Sequence, residues 1–96
     1  MFVVTLTYTA PLERIDELIP AHVEWLERNY AAGRFLASGR QVPRTGGVIL
    51  ARASSRETLE AVLAEDPFGR AGVADYQVVE FLATKTAPGL ETLESH

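Results

Sequence analysis

The stretch that decides the fold is RFLASGRQVPRTGGVILARA, residues 34–53. Residues 34–42, RFLASGRQV, read as a strand with a weak pattern, and residues 48–53, VILARA, as a strand with apolar residues on both faces at its start. Between them PRTGG, residues 43–47, has the composition of a hairpin turn. A hairpin makes its two strands antiparallel neighbours, whereas a parallel pair needs a long crossover, usually a helix. The middle of the chain is therefore strand–turn–strand, and the flanking segments decide what surrounds it.

Upstream, FVVTLTYT at residues 2–9 is β-branched and aromatic and reads as a strand. Phe2, Val4, Leu6 and Tyr8 fall on one face; Val3, Thr5 and Thr7 fall on the other, which is only half polar. Residues 12–32, LERIDELIPAHVEWLERNYAA, have helical period. Leu18, Ile19, His22, Leu26, Asn29 and Tyr30 lie within ~60° of Ile15 on a helical wheel. Pro20 faces outward, with a kink or fresh start expected there, and Gly33 suits the C′ position. Downstream, Ser54 and Glu57 have the spacing of a capping box. The helix they open, RETLEAVLAEDP, turns Leu59, Val62 and Leu63 to one side and is ended by Pro67. Residues 75–83, DYQVVEFLA, alternate as a fourth strand. The tail from residue 83 to residue 96 is polar with two leucines, either loose or docked at a partner subunit.

The order β-α-β-β-α-β is the split βαβ, or ferredoxin-like, arrangement: an α+β fold with one four-stranded antiparallel sheet and both helices on one face. At 96 residues the chain makes a single domain. Helices on one face only, combined with strands that are apolar on both, call for a partner on the open face, and a second copy is the simplest one.

Composition narrows the function. Thirteen acids against nine bases give a net charge of −4, and eight of the bases are scattered arginines, which disfavours nucleic acid and anionic membrane as partners. There is no cysteine, so thiol catalysis, disulfides and thiolate metal sites are excluded. No apolar run approaches the ~20 residues of a membrane span, the N-terminus has no signal-peptide pattern, and a cytoplasmic location is expected. One internal histidine leaves only carboxylates to complete a metal site, and no redox-cofactor motif is present, so no cofactor is expected and the chemistry should need only protons.

That histidine, His22, sits mid-stripe on the first helix; His96 is the terminal residue. Asp66 follows Leu59 by seven residues, which places it within ~20° of Leu59 on the wheel of the second helix. An acid at a helix C-terminus is mildly unfavourable and is either solvated or partnered. Both side chains project from buried faces of helices on one side of the sheet, so a His22–Asp66 pair is geometrically open. Such a pair would fix the imidazole tautomer and leave the other nitrogen as a general base; equally, it would serve as a buried structural hydrogen bond. Ser38 and Arg40 share a strand face. Arg40 is either a clamp for a carboxylate or phenolate or a surface residue paired with an acid, and Ser38 has no neighbouring histidine to make it a nucleophile. Trp25, Tyr30 and Phe68 read as core aromatics, Phe68 closing the helix end against the sheet. Gly69 and Gly72 are turn residues and GRAG matches neither glycine fingerprint.

AHVEWL (21–26), GRFLASGRQ (33–41), GGVILARASSRETLEAVLAEDPF (46–68) and VVEF (78–81) together resemble the YciI-like, or YCII-related, proteins over about residues 2–83. The resemblance implies a ferredoxin-like fold that pairs as a dimeric α+β barrel, and a His–Asp pair at an active site, carried here by His22 and Asp66. Some relatives are dehydrochlorinases of chlorinated hydroxyquinones; many have no assigned reaction. Family members often have Gly-Pro after the second strand where this chain has Gly39-Arg40, a cation that favours an anionic ligand. Proton abstraction from a small aromatic or carbonyl compound is the expected chemistry, with Ser38, Arg40 and Phe68 as substrate contacts; a dimeric binding module without turnover is the alternative.

Overall fold

The computed structural model describes residues 1–94; Ser95 and His96 lie outside the described residues. The elements run β1 (Phe2–Tyr8), α1 (Leu12–Ala31), β2 (Phe35–Arg40), β3 (Gly46–Ala51), α2 (Arg56–Leu63), α3 (Pro67–Arg70) and β4 (Ala74–Glu80), followed by a 3-10 turn at Glu91–Leu93. The four strands form one sheet in the order β2-β3-β1-β4, every neighbour antiparallel. This is the expected ferredoxin-like α+β fold, with one short helix added. No helix among the described residues is long and apolar enough to cross a membrane.

Register assigns the faces. Phe2, Val4 and Leu6 are buried under the helices, and their partners across the sheet, Ala51, Ile49 and Gly47 on β3 and Val78 and Tyr76 on β4, share that side. Val3, Thr5, Leu50, Val48, Gln77 and Val79 take the opposite side. The weak alternation of β2 has a cause in a register shift between Phe35 and Ala37. It puts Phe35, opposite Ala51, and Ser38, opposite Ile49, on the helix side although they are three residues apart. Arg40, opposite Gly47, joins them there.

α1 runs unbroken through Pro20. The proline is exposed, so its missing amide sits on the solvent side, and the helix does not start afresh there. The indole of Trp25 is 1% exposed, meets Phe35 edge-on and donates to Val62 O at 3.1 Å, which ties α1 to α2. Asn29, buried in the same stripe, donates to Trp25 O and accepts from Arg34. The cap of α2 is Ser55, not Ser54: Ser55 is extended and its hydroxyl accepts from the Thr58 amide at 3.1 Å. Moving the cap by one residue puts Thr58 where a capping box needs Glu or Gln, so the Ser54–Glu57 box does not form.

β3 begins at Gly46, inside the expected turn, because that glycine packs too tightly to belong to a loop. A Cβ on Gly46 would stand 1.7 Å from the carbonyl oxygen of Leu6. β4 ends at Glu80, short of the expected residue 83. Farther along, Arg52 Nη2 donates to Thr92 O at 2.9 Å, a contact between the tail and the body of the same protomer.

Candidate active site

Asp66 is not at the end of a helix. α2 stops at Leu63, and Asp66 is the N-cap of α3, with an extended backbone and a side chain accepting from the Phe68 amide at 3.1 Å. Pro67 produces this: it drives the preceding residue out of the α region and suits the first position of a new helix. The acid thus stands at the favourable end of a helix. It is also 0% exposed, and a fully buried carboxylate needs partners.

It has three. His22 Nδ1 lies 2.7 Å from Oδ1, the Phe68 amide donates to the same oxygen, and Tyr76 O–H donates to Oδ2 at 2.5 Å. An ionised carboxylate only accepts, so His22 donates from Nδ1. Its Nε2 makes no hydrogen bond among the described residues. Burial first, then the hydrogen bond to Asp66 and that group's charge, hold the Tyr76 phenol well above its ordinary range, so it stays a neutral donor. Phe68 lies flat on the imidazole, 4.0 Å between centroids and 8° between planes, with Trp25 tilted at 5.5 Å. The ring is held by hydrogen bond and by stacking at once.

The imidazole lines a cavity of about 180 Å³ between α1 and the β1–β3–β2 part of the sheet. Leu6, Tyr8, Ile19, Leu26, Ile49 and Phe68 make its apolar wall; Ser38, Gly39, Arg40, Gly47 and Val48 make the side toward β2. Of the residues expected to form a site, His22, Ser38, Arg40 and Phe68 line this one cavity, and Asp66 stands directly behind His22. Ser38 Oγ is 2.7 Å from Tyr30 Oη. Arg40 is exposed and has no ion-pair partner among the described residues, so the pairing with an acid does not form. Arg44 in the β2–β3 turn reaches Asp16 on α1.

A family model, the YCII-related domain, matches residues 1–82. The chain belongs to the YCII-related domain family. No curated protein matches it. Among solved structures it is similar to 5-chloro-2-hydroxyhydroquinone dehydrochlorinase (TftG) from Burkholderia phenoliruptrix AC1100, in complex with 2,5-dihydroxybenzoquinone. The TM-score is 0.71 over 84% of this chain and 93% of that one, at 20% identity, a likeness of fold.

Two residues of this YCII-related domain's candidate site escape sequence reasoning. Tyr8 falls on the inner face of β1 by its alternation, which says nothing of a role, and it lines the cavity. Tyr76 fits the alternation of β4 without any visible partner, and it closes the hydrogen-bond set of Asp66. The available signal is Gly69: a Cβ there would lie 3.1 Å from the Tyr76 hydroxyl and ring, so the glycine makes room for that side chain.

Proposed function

We propose that this YCII-related domain is a small-molecule enzyme that uses His22 as a general base and Asp66 to orient it. The observation that carries the reading is the 2.7 Å His22–Asp66 hydrogen bond behind a ring that lines a cavity of about 180 Å³. The carboxylate occupies Nδ1, which leaves the Nε2 lone pair to take a proton, and the imidazolium so formed is stabilised by the adjacent charge. On a chlorinated hydroxyhydroquinone, Nε2 takes a hydroxyl proton and that O–H pair becomes a C=O π bond. The imidazolium returns the proton to the chlorine-bearing ring carbon, and chloride then leaves with the C–Cl pair as a second hydroxyl gives up its proton. Isomerisation and hydrolysis use the same base.

The substrate is a small, single-ring or carbonyl-bearing anion. A cavity of roughly 150 Å³ holds benzene, so this one takes one ring with few substituents. Arg40, free of any ion pair among the described residues, supports an anionic group at the β2 side, and Ser38 offers a hydroxyl beside it. The protein of similar fold is a dehydrochlorinase in complex with a dihydroxybenzoquinone, so a chlorinated hydroxyhydroquinone is the first substrate to try. Chloride release by the purified protein, lost in His22→Ala and reduced in Asp66→Asn, supports the proposal. Turnover that persists in His22→Ala overturns it. Binding of a ring compound with no product, unchanged by His22→Ala, favours a non-catalytic binding module.

The same reading includes a homodimer. Val3, Val48, Leu50 and Val79 share the sheet face that no helix covers, and Val79 is 60% exposed. A second copy laid on this face would bury them.

A further inference from the structure

Asp66 uses its two oxygens differently. Oδ1 accepts from His22 Nδ1 and from the Phe68 amide, and Oδ2 accepts from the Tyr76 hydroxyl. Three elements, α1, α3 and β4, therefore meet on one carboxylate that no solvent touches. Without a donor on Oδ2 that oxygen would be a buried acceptor with nothing to accept, and the group would gain by turning or by taking up a proton. Tyr76 itself is placed with little freedom. It sits opposite Leu6 in the β1–β4 register, and its ring and hydroxyl fit against Gly69.

We propose that Tyr76 is a positioning residue: by donating to Oδ2 it locks the Asp66 carboxylate, which holds His22 in the Nδ1–H tautomer and leaves Nε2 for substrate. The proposal rests on the reading of His22 as the base, but its consequence for the ring is measurable without turnover. A donor on Oδ2 shares the carboxylate's negative charge and so limits how strongly Asp66 draws a second proton onto the imidazole. The other ionisable groups lining the same cavity are Tyr8 on β1 and Arg40 on β2, with the neutral Ser38 hydroxyl between β2 and the ring. All of them are unchanged when only the Tyr76 hydroxyl is removed.

The test is nitrogen-detected NMR of the His22 ring across pH in wild type and Tyr76→Phe, which keeps the aromatic ring and deletes one oxygen. The expected result is an upward move of the titration midpoint by about half to one pH unit in the variant, the scale of one lost hydrogen bond to a charged group. Gly69→Ala is the second perturbation. Its Cβ would stand 3.1 Å from the Tyr76 hydroxyl and push it by a few tenths of an ångström without deleting it, so it moves the midpoint the same way by a smaller amount. Where Tyr76→Phe does not fold, Gly69→Ala decides. On any substrate turned over, the pH profile of kcat/KM shifts with the midpoint, and kcat falls more than KM changes. Coincident titration curves for wild type and the folded variant overturn the positioning role whatever the turnover. Persistent turnover in His22→Ala overturns the enzyme reading and leaves the NMR result to stand on its own.

Discussion

Replacing Asp66 by alanine and by asparagine separates what the carboxylate does for the fold from what its charge does. In Asp66→Ala three donors lose their acceptor together: the Phe68 amide, His22 Nδ1–H and the Tyr76 hydroxyl. Each buried unmet donor costs ~1–3 kcal/mol. The amide has no other outlet, while the His22 side chain is 14% exposed and can recover part of its loss from water. A total of about 3–5 kcal/mol follows. A domain of this size has ~5–14 kcal/mol in all, so the alanine variant should stand near the edge of folding. Asp66→Asn keeps an oxygen for the amide and for His22, and its amide nitrogen faces Tyr76, whose hydroxyl can turn to accept. Only the charge assistance is lost, about 1–2 kcal/mol.

Urea denaturation read by Trp25 fluorescence measures both, with the slope compared to check that the unfolded state is unchanged. The predicted gap between the two variants is about 2–3 kcal/mol. If alanine and asparagine destabilise by the same amount, the three donors do not depend on this acceptor, and the account of Asp66 as their common partner fails.

Gly46→Ala forces a Cβ onto the Leu6 carbonyl and should cost about 3 kcal/mol or more by denaturation; a variant as stable as wild type would refute the close approach. Because the folded-state phenol of Tyr76 is held above its ordinary value, the stability it contributes is whole below about pH 10 and is lost as pH rises through and beyond that point. Wild type should therefore lose stability more steeply above pH 10 than Tyr76→Phe, by at most ~1.4 kcal/mol per pH unit and less for a partly exposed ring; parallel alkaline limbs would contradict this. Light scattering at micromolar concentration should give a dimeric mass, and Leu50→Lys on the uncovered sheet face should give a monomer; a monomeric wild type removes the dimer.

The faces of β1 are legible because a strand writes its environment with a period of two residues, and Phe2, Val4 and Leu6 are buried as that pattern requires. The pairing of His22 with Asp66 is legible from the apolar side of two helices, yet part of that route is wrong. The wheel of the second helix extends three residues past Leu63, where α2 ends. Asp66 reaches the buried side because Pro67 starts a new helix there. The cap at Ser55 and the unbroken α1 depend on the backbone angles of single residues, which composition does not encode. Tyr76 is hidden for a different reason. Its partner lies across a helix–strand junction, and nothing in the spacing of residues 66 and 76 marks a contact between an N-cap and an inward strand position.

The segment Asp66-Pro67-Phe68 accounts for most of the site by itself. Pro67 sets the backbone of its neighbours, and Asp66 is extended as a result, so that its carboxylate folds over the first turn of α3. Phe68 then contributes twice, its amide fixing Oδ1 and its ring lying at 4.0 Å on the imidazole that the same oxygen binds. One turn of chain thus delivers acceptor, geometry and stacking surface to a histidine presented from another helix. Under the proposed function, a ring compound entering the cavity would meet an imidazole whose orientation is already fixed, and little ordering would remain to be done when it binds. Pro67→Ala is the change that tests this arrangement. It leaves every polar partner in place but frees the residue before it, so it should loosen the His22–Asp66 contact without removing either group. The expected signature is mixed imidazole tautomers in the nitrogen spectrum of an otherwise folded protein. A single unchanged tautomer would mean that the hydrogen bonds, and not the proline, hold the turn.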